Sequence, residues 1–284
     1  MSQHSMPPPP APGSRTDSPG PSHLPEQLLR SRQLTKDASF CFSCHPRLAC
    51  FTSCCSNVNV LLTPADVLSL ARRTSMSTRQ FLDRHTLIPI TAELHLPVVM
   101  LRMDDTSERR CPFVSASGCS VYEARPWACR MYPLGLGLPP ARAGVEPEPG
   151  YFLLEDDFCH GREEQRSWTV DSWQRDQGVR EAEALEQGFR ELVAHPWFIG
   201  GRRLDPKRMH MFFTAAYDLD TFREFVFSSS FLQRFALDHD LVEALRTDDH
   251  ALLRFAFRWL RFALFGEPTL QSRRPAATRA EARP

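Results

Sequence analysis

The sequence predicts an α+β fold, predominantly α: a small cysteine-rich domain stapled by metal and carrying a few short strands, followed by a helical C-terminal region. Three observations predict it. All nine cysteines lie between Cys41 and Cys159, and the last 125 residues hold none. The strand-like stretches are short and fall within that same block. Eleven of the twenty phenylalanines lie between Pro206 and Gly266, among them Phe212, Phe213, Phe222, Phe225, Phe255 and Phe262, at spacings that fit helical periodicity.

Each element has a local cause. Residues 1–38 are rich in Pro, Ser and Gly, with too few large apolar side chains to offset the entropy of ordering them, which predicts a disordered tail. Residues 39–165 are the predicted cysteine domain. Within it LTPADVLSLARRTS starts a helix, with Thr63 as N-cap, Pro64 at the first helical position and Asp66 in the first turn. A second start at Ser77 leads into STRQFLDRHT, where Phe81 and Leu82 are apolar. Leu94 to Met103 has β-branched content and no cap, so it predicts a strand. Gly118 to Tyr122 predicts a hairpin turn and strand, and the segment after Pro126 a single helical turn ending before Pro133. Residues 135–150 predict an irregular loop, and YFLLE a short strand after it. Residues 166–267 predict aromatic-rich helices packed on the cysteine domain, the last stopping at Gly266 with Pro268 just beyond. Residues 268–284 predict a second disordered tail.

Charge sets limits on function. With 34 basic and 34 acidic residues the formal net charge is zero, which removes the long-range field a general nucleic-acid binder would use. No stretch reaches the roughly 18 uninterrupted apolar residues of a membrane helix, and the first residues lack the apolar core of a secretory signal. The chain therefore reads as cytoplasmic. In a reducing compartment a thiol cluster holds metal or does redox chemistry in preference to forming structural disulfides.

The first cysteine group is spaced C-x2-C-x5-C-x3-CC, at Cys41, Cys44, Cys50, Cys54 and Cys55; Cys111, Cys119, Cys129 and Cys159 follow. If Cys50 to Cys55 begins a helical turn, Cys50 and Cys54 share a face and suit one metal. Thiolate sites of this kind hold zinc or an iron–sulfur cluster. His45 and His160 sit beside cysteines and are spare ligand candidates, though loop histidines of this kind more often bond backbone.

Three pieces, SCHPRLACFTSCC with LTPADVLSLA, CPFVSASGCSVYEARPWACRMYPLG, and FCHGREEQRSWTVDSWQRDQGV, resemble the YkgJ-type cysteine-cluster family of zinc- or iron-chelating domains. The resemblance implies a bound metal, with the family's cysteine pattern falling on Cys44, Cys50, Cys54, Cys55, Cys111, Cys119, Cys129 and Cys159. Cys41 is extra to it and is read as a peripheral thiol. The family's first two cysteines commonly stand about two residues apart, whereas five separate Cys44 from Cys50. A related pattern in flagellin lysine N-methylases extends the resemblance to an enzyme.

Around such a site Arg125 and Arg130 would offset thiolate charge and donate to sulfur, and Tyr122 would donate through its hydroxyl; these three are the predicted cofactor-binding residues. The acid pairs Asp104 with Asp105 and Asp156 with Asp157 read as solvated loop positions, because no histidine or nucleophile is placed to work with them. The stripe Arg254, Arg258 and Arg261 reads as the wet edge of a core helix. Together these observations lead to a metal-binding protein with a redox or accessory role, iron–sulfur placed ahead of zinc, whose partners are the metal ion or cluster and a protein. Two alternatives stand beside it. One is a zinc-stabilised protein-interaction module; the other is a protein methylase using an S-adenosyl donor, disfavoured because no GxGxxG loop follows a strand.

Overall fold

The computed structural model describes residues 32–89, 96–137, 150–199 and 201–273. Its strands are short: β1 (Arg32–Leu34), β2 (Ser39–Cys41), β3 (Leu61–Leu62), β4 (Thr86–Leu87), β5 (Val99–Leu101), β6 (Val114–Ser115), β7 (Gly118–Cys119), β8 (Leu134–Gly137), β9 (Gly150–Leu153), β10 (Ser167–Thr169), β11 (Phe235–Ala236) and β12 (Gln271–Ser272). The helices are α1 (Pro64–Arg73), α2 (Thr78–His85), α3 (Trp127–Met131), α4 (Val170–Asp176), α5 (Val179–Val193), α6 (Pro196–Ile199), α7 (Pro206–Ala216), α8 (Leu219–Ser228), α9 (Phe231–Arg234), α10 (His239–Thr247) and α11 (Asp249–Phe265). The strands pair antiparallel in small sheets ordered β1-β9-β8, β3-β5-β4, β2-β10, β6-β7 and β11-β12.

The helix starts follow the local chemistry. Thr63 and Asp66 form a reciprocal capping box: the Thr63 amide donates to Asp66 Oδ2 at 3.0 Å and the Asp66 amide to Thr63 Oγ1 at 3.1 Å. Ser77 with Gln80, and Thr169 with Ser172, do the same for α2 and α4. α11 stops where Gly266 takes the left-handed conformation at φ 71°, which a Cβ would disfavour.

Several short-range expectations need correction. Arg32–Leu34, within the stretch read as tail, is a strand because β9 supplies its backbone partners and Leu34 is buried beneath it. Residues 134–137, placed mostly in a loop, pair with β9 for the same reason. The strand over Leu94 to Met103 is confined to Val99–Leu101; residues 94 and 95 lie outside the described residues, as do most of the two tails.

Two apolar cores hold the chain. The larger runs from β3, α1, α2 and β5 through α5, α7, α8 and α11, so the cysteine-rich block and the aromatic helices share one interior. The smaller gathers Leu34, Phe40, Phe42, Met131, Leu134, Leu153, Val170, Trp173 and Val179. Arg254, Arg258 and Arg261 are turned to their own chain: Arg261 pairs with Glu191 and Glu267 at 2.7 and 2.6 Å, Arg254 lies 4.0 Å from Asp248, and Arg258 Nε donates to the Thr269 carbonyl. The predicted metal staple is overturned. Among the described residues no three His, Cys, Asp or Glu side chains converge to hold a metal ion, and the two apolar cores are what bind the cysteine block together.

Candidate functional site

One cavity of about 250 Å³ opens on the seam between the two cores. Phe42 and Trp173 reach it from the smaller core, Val60, Leu101, Met103, Phe113 and Val121 from the larger. Much of its remaining wall is sulfur. Cys44, Cys50, Cys54, Cys55, Cys111, Cys119, Cys129 and Cys159 all line it, whereas Cys41 is on β2 and does not. None of the cysteines is in a disulfide.

Strained backbone places the thiols. Cys54 and Cys55 lie in a 3-10 turn at Ser53–Cys55, preceded by Thr52 at φ 68°, a left-handed conformation that a β-branched side chain resists, and followed by Asn57 at φ 49°. The helical face expected to align Cys50 with Cys54 is therefore absent, since Thr52 breaks the turn between them. Arg109, at φ 46°, delivers Cys111, whose amide donates to the Cys55 carbonyl at 2.8 Å. Asp104 Oδ1 accepts from the Arg110 amide at 2.9 Å and ties down the same loop. Cys119 comes from the β6–β7 hairpin, where it faces Val114. Cys129 is on α3, whose first residue, Trp127, donates its amide to the buried Asp66 at 2.8 Å. Gly161 permits closure on the far side, because a Cβ there would come within 2.8 Å of the Ser43 carbonyl oxygen and of the Phe42 ring.

Electrostatics keeps several of these thiols protonated. Cys54 and Cys129 are exposed by area, but what they face is the cavity interior, where a thiolate is poorly solvated. Burial, then Cys111 and Asp66, push Cys129 up to about 12. Burial followed by the neighbouring Cys54, Cys50 and Cys159 pushes Cys44 up to about 11. Contact with Cys55 raises Cys54, and burial raises Cys111.

The residues expected to surround a metal have other tasks. Arg125 donates to the Tyr122 carbonyl at 2.6 Å and to Gln177 Oε1 at 2.5 Å, and its guanidinium lies 3.9 Å from the Tyr122 ring centre. Arg130 donates to the backbone carbonyls of Arg125, Gln177 and Glu123. His45 Nε2 meets Glu164 at 3.3 Å and His160 Nδ1 meets Glu163 at 3.1 Å, so both histidines face carboxylates. The donor to sulfur is instead backbone, the His160 amide to Cys50 Sγ at 3.2 Å. Sequence reasoning missed this amide, and also missed that α4 supplies Trp173 and Gln177 to the cavity and that Asp66 reaches beyond its own helix.

Residues 43–160 match the CxxCxxCC family, described as "Putative zinc- or iron-chelating domain". The match, to a family of the YkgJ type, covers less than half of the chain. No curated protein matches the chain, and no solved structure does.

The domain's description raises zinc or iron, and the described residues do not fit either. With Zn–S about 2.3 Å, tetrahedral sulfurs sit about 3.8 Å apart. Cys54 Sγ and Cys55 Sγ, at 4.0 Å, meet that spacing, but no group of three or more His, Cys, Asp or Glu ligands forms among the described residues. The expected metal-binding function, the zinc or iron–sulfur cofactor and the metal partner are all overturned on this geometry, and with them the zinc-stabilised module. No helix among the described residues is long and apolar enough to cross a membrane.

Proposed function

We propose that the cysteine-lined cavity works through its thiols themselves, as a dithiol redox site that exchanges with small disulfides. The observation that carries this is that eight uncrosslinked cysteines line one cavity, with two sulfurs 4.0 Å apart. In the exchange a cavity cysteine, as thiolate, attacks one sulfur of R–S–S–R; a mixed disulfide forms and RS⁻ leaves, taking up the proton the cysteine released. A second cavity thiol then attacks the protein sulfur of the mixed disulfide, closing an intramolecular disulfide and expelling the second RSH. The substrate gains two electrons and two protons, and the protein loses them. A low-molecular-weight thiol of the surroundings reverses both steps. Apolar walls and raised thiol pKa values support a resting thiol state that is slow to react, since the thiolate is the nucleophile.

The test is oxidation of the reduced full chain with oxidised glutathione, followed by alkylation of remaining thiols and peptide mass spectrometry. Expected are intramolecular disulfides among the eight cavity cysteines, with Cys41 carrying at most a mixed disulfide. Modification of Cys41 alone, with the cavity thiols untouched in folded protein, overturns the proposal.

A further inference from the structure

Among the cavity's lining residues other than cysteine, Arg125 is the one that carries charge. It is 8 % exposed, and its hydrogen-bond partners, the Tyr122 carbonyl and the Gln177 side chain, are neutral. No carboxylate of the described residues pairs with it. Neighbouring Arg130 differs: Asp66, Glu123 and Glu181 all act on its charge. A buried guanidinium without a counter-charge is costly, and the Gln177 carbonyl at the end of the short helix α4 accepts from Arg130, not from Arg125.

Tyr132 lines the same wall, but its hydroxyl is buried away from the void, beside Cys159 and Asp156. Apolar side chains make up most of the remaining wall, with Phe158 and Tyr122 exposed. The volume of about 250 Å³ lies just below the usual range of small-molecule pockets, roughly 300–1,000 Å³.

We infer that this cavity binds a small amphipathic organic anion, a monocarboxylate with an apolar body, whose head pairs with Arg125 and whose body lies along Phe42, Phe113 and Trp173. The inference goes beyond the redox reading and does not require it, because binding is measured on protein kept fully reduced.

Isothermal titration of the reduced full chain with octanoate, 1-octanol and octylamine tests it. Octanoate is expected to bind about tenfold or more tightly than 1-octanol, the margin of one charge-assisted contact, and octylamine more weakly than either. Arg125→Gln should bring octanoate down to the level of 1-octanol while leaving 1-octanol unchanged, which also reports that the cavity is still folded. Arg125→Lys, which keeps the charge, should retain part of the preference. Equal binding of octanoate and 1-octanol, a preference that survives Arg125→Gln, or binding of none of the three overturns the inference.

Discussion

Replacing Phe222 with alanine is expected to destabilise the whole chain by about 3–5 kcal/mol, the range for removing a fully buried aromatic ring. Phe222 is 1 % exposed on α8. Its ring lies 5.4 Å from that of Trp259 and 6.4 Å from that of Phe255, both on α11, so truncation leaves a void between two helices of the larger core. The informative part is how far the damage spreads. α8 also meets α2, where the Thr78 hydroxyl and amide both donate to Asp220 at 2.6 Å, and α2 belongs to the cysteine-rich block. In a shared core the unfolding of the aromatic helices and the exposure of the cavity thiols are one event. Urea unfolding followed by far-ultraviolet circular dichroism and by cysteine alkylation should therefore give coincident transitions, and Phe222→Ala should move both to lower urea together. An alkylation transition that stays in place while the helical one shifts would show two independent domains.

That sharing was the part of the fold least legible in the sequence. Caps announce themselves locally, so Thr63, Ser77 and Gly266 could be read from their immediate neighbours. The joining of Val60, Leu101 and Phe113 to helices more than a hundred residues downstream leaves no local mark, because apolar side chains are not specific about their partners. The site divides the same way. Eight cysteines could be gathered on family pattern, and they do line one cavity. Their mutual geometry could not, since it depends on left-handed backbone at Thr52, Asn57 and Arg109, and of these only Asn is a residue type that favours such a turn. Metal ligation was inferred from which residues were present, but ligation needs three or more of them to converge on one point, and that is a tertiary property.

Asp66 illustrates how much a single side chain can hide. As a cap it is predictable from LTPAD; as the acceptor for the Trp127 amide it links α1 to the helix that carries Cys129. Both roles are performed from a fully buried position, and burial raises its carboxyl to about 6 despite three hydrogen bonds that favour the charged form. Through Thr63, which bonds Asp66 by its backbone amide and donates its hydroxyl to Glu186, the same cluster extends to α5. The floor beneath α3 is thus acidic, which is one reason Cys129 resists ionisation.

Glu186 gives that acidic floor a measurable pH dependence. It is 4 % exposed, and burial, followed by the charge of Asp66, pushes its carboxyl from the ordinary 4.5 to about 7, with the Thr63 hydroxyl and Arg190 acting the other way. A carboxyl raised in the folded state binds its proton more tightly there than in the unfolded chain. Its contribution to stability is therefore fully present below about pH 4.5 and is lost as pH rises through 7. The full gap is worth about 3 kcal/mol at 1.36 kcal/mol per tenfold change, and most of it falls between pH 5 and pH 8. Glu186→Gln keeps an oxygen to accept from Thr63 but cannot titrate, so it should gain roughly 2–3 kcal/mol on the native protein between those two pH values, read from urea midpoints. Asp66 contributes in the same direction at lower pH and remains in the variant, so some decline persists. Parallel stability profiles for Glu186→Gln and the native chain from pH 5 to 8 would show that the proton on Glu186 carries no such weight.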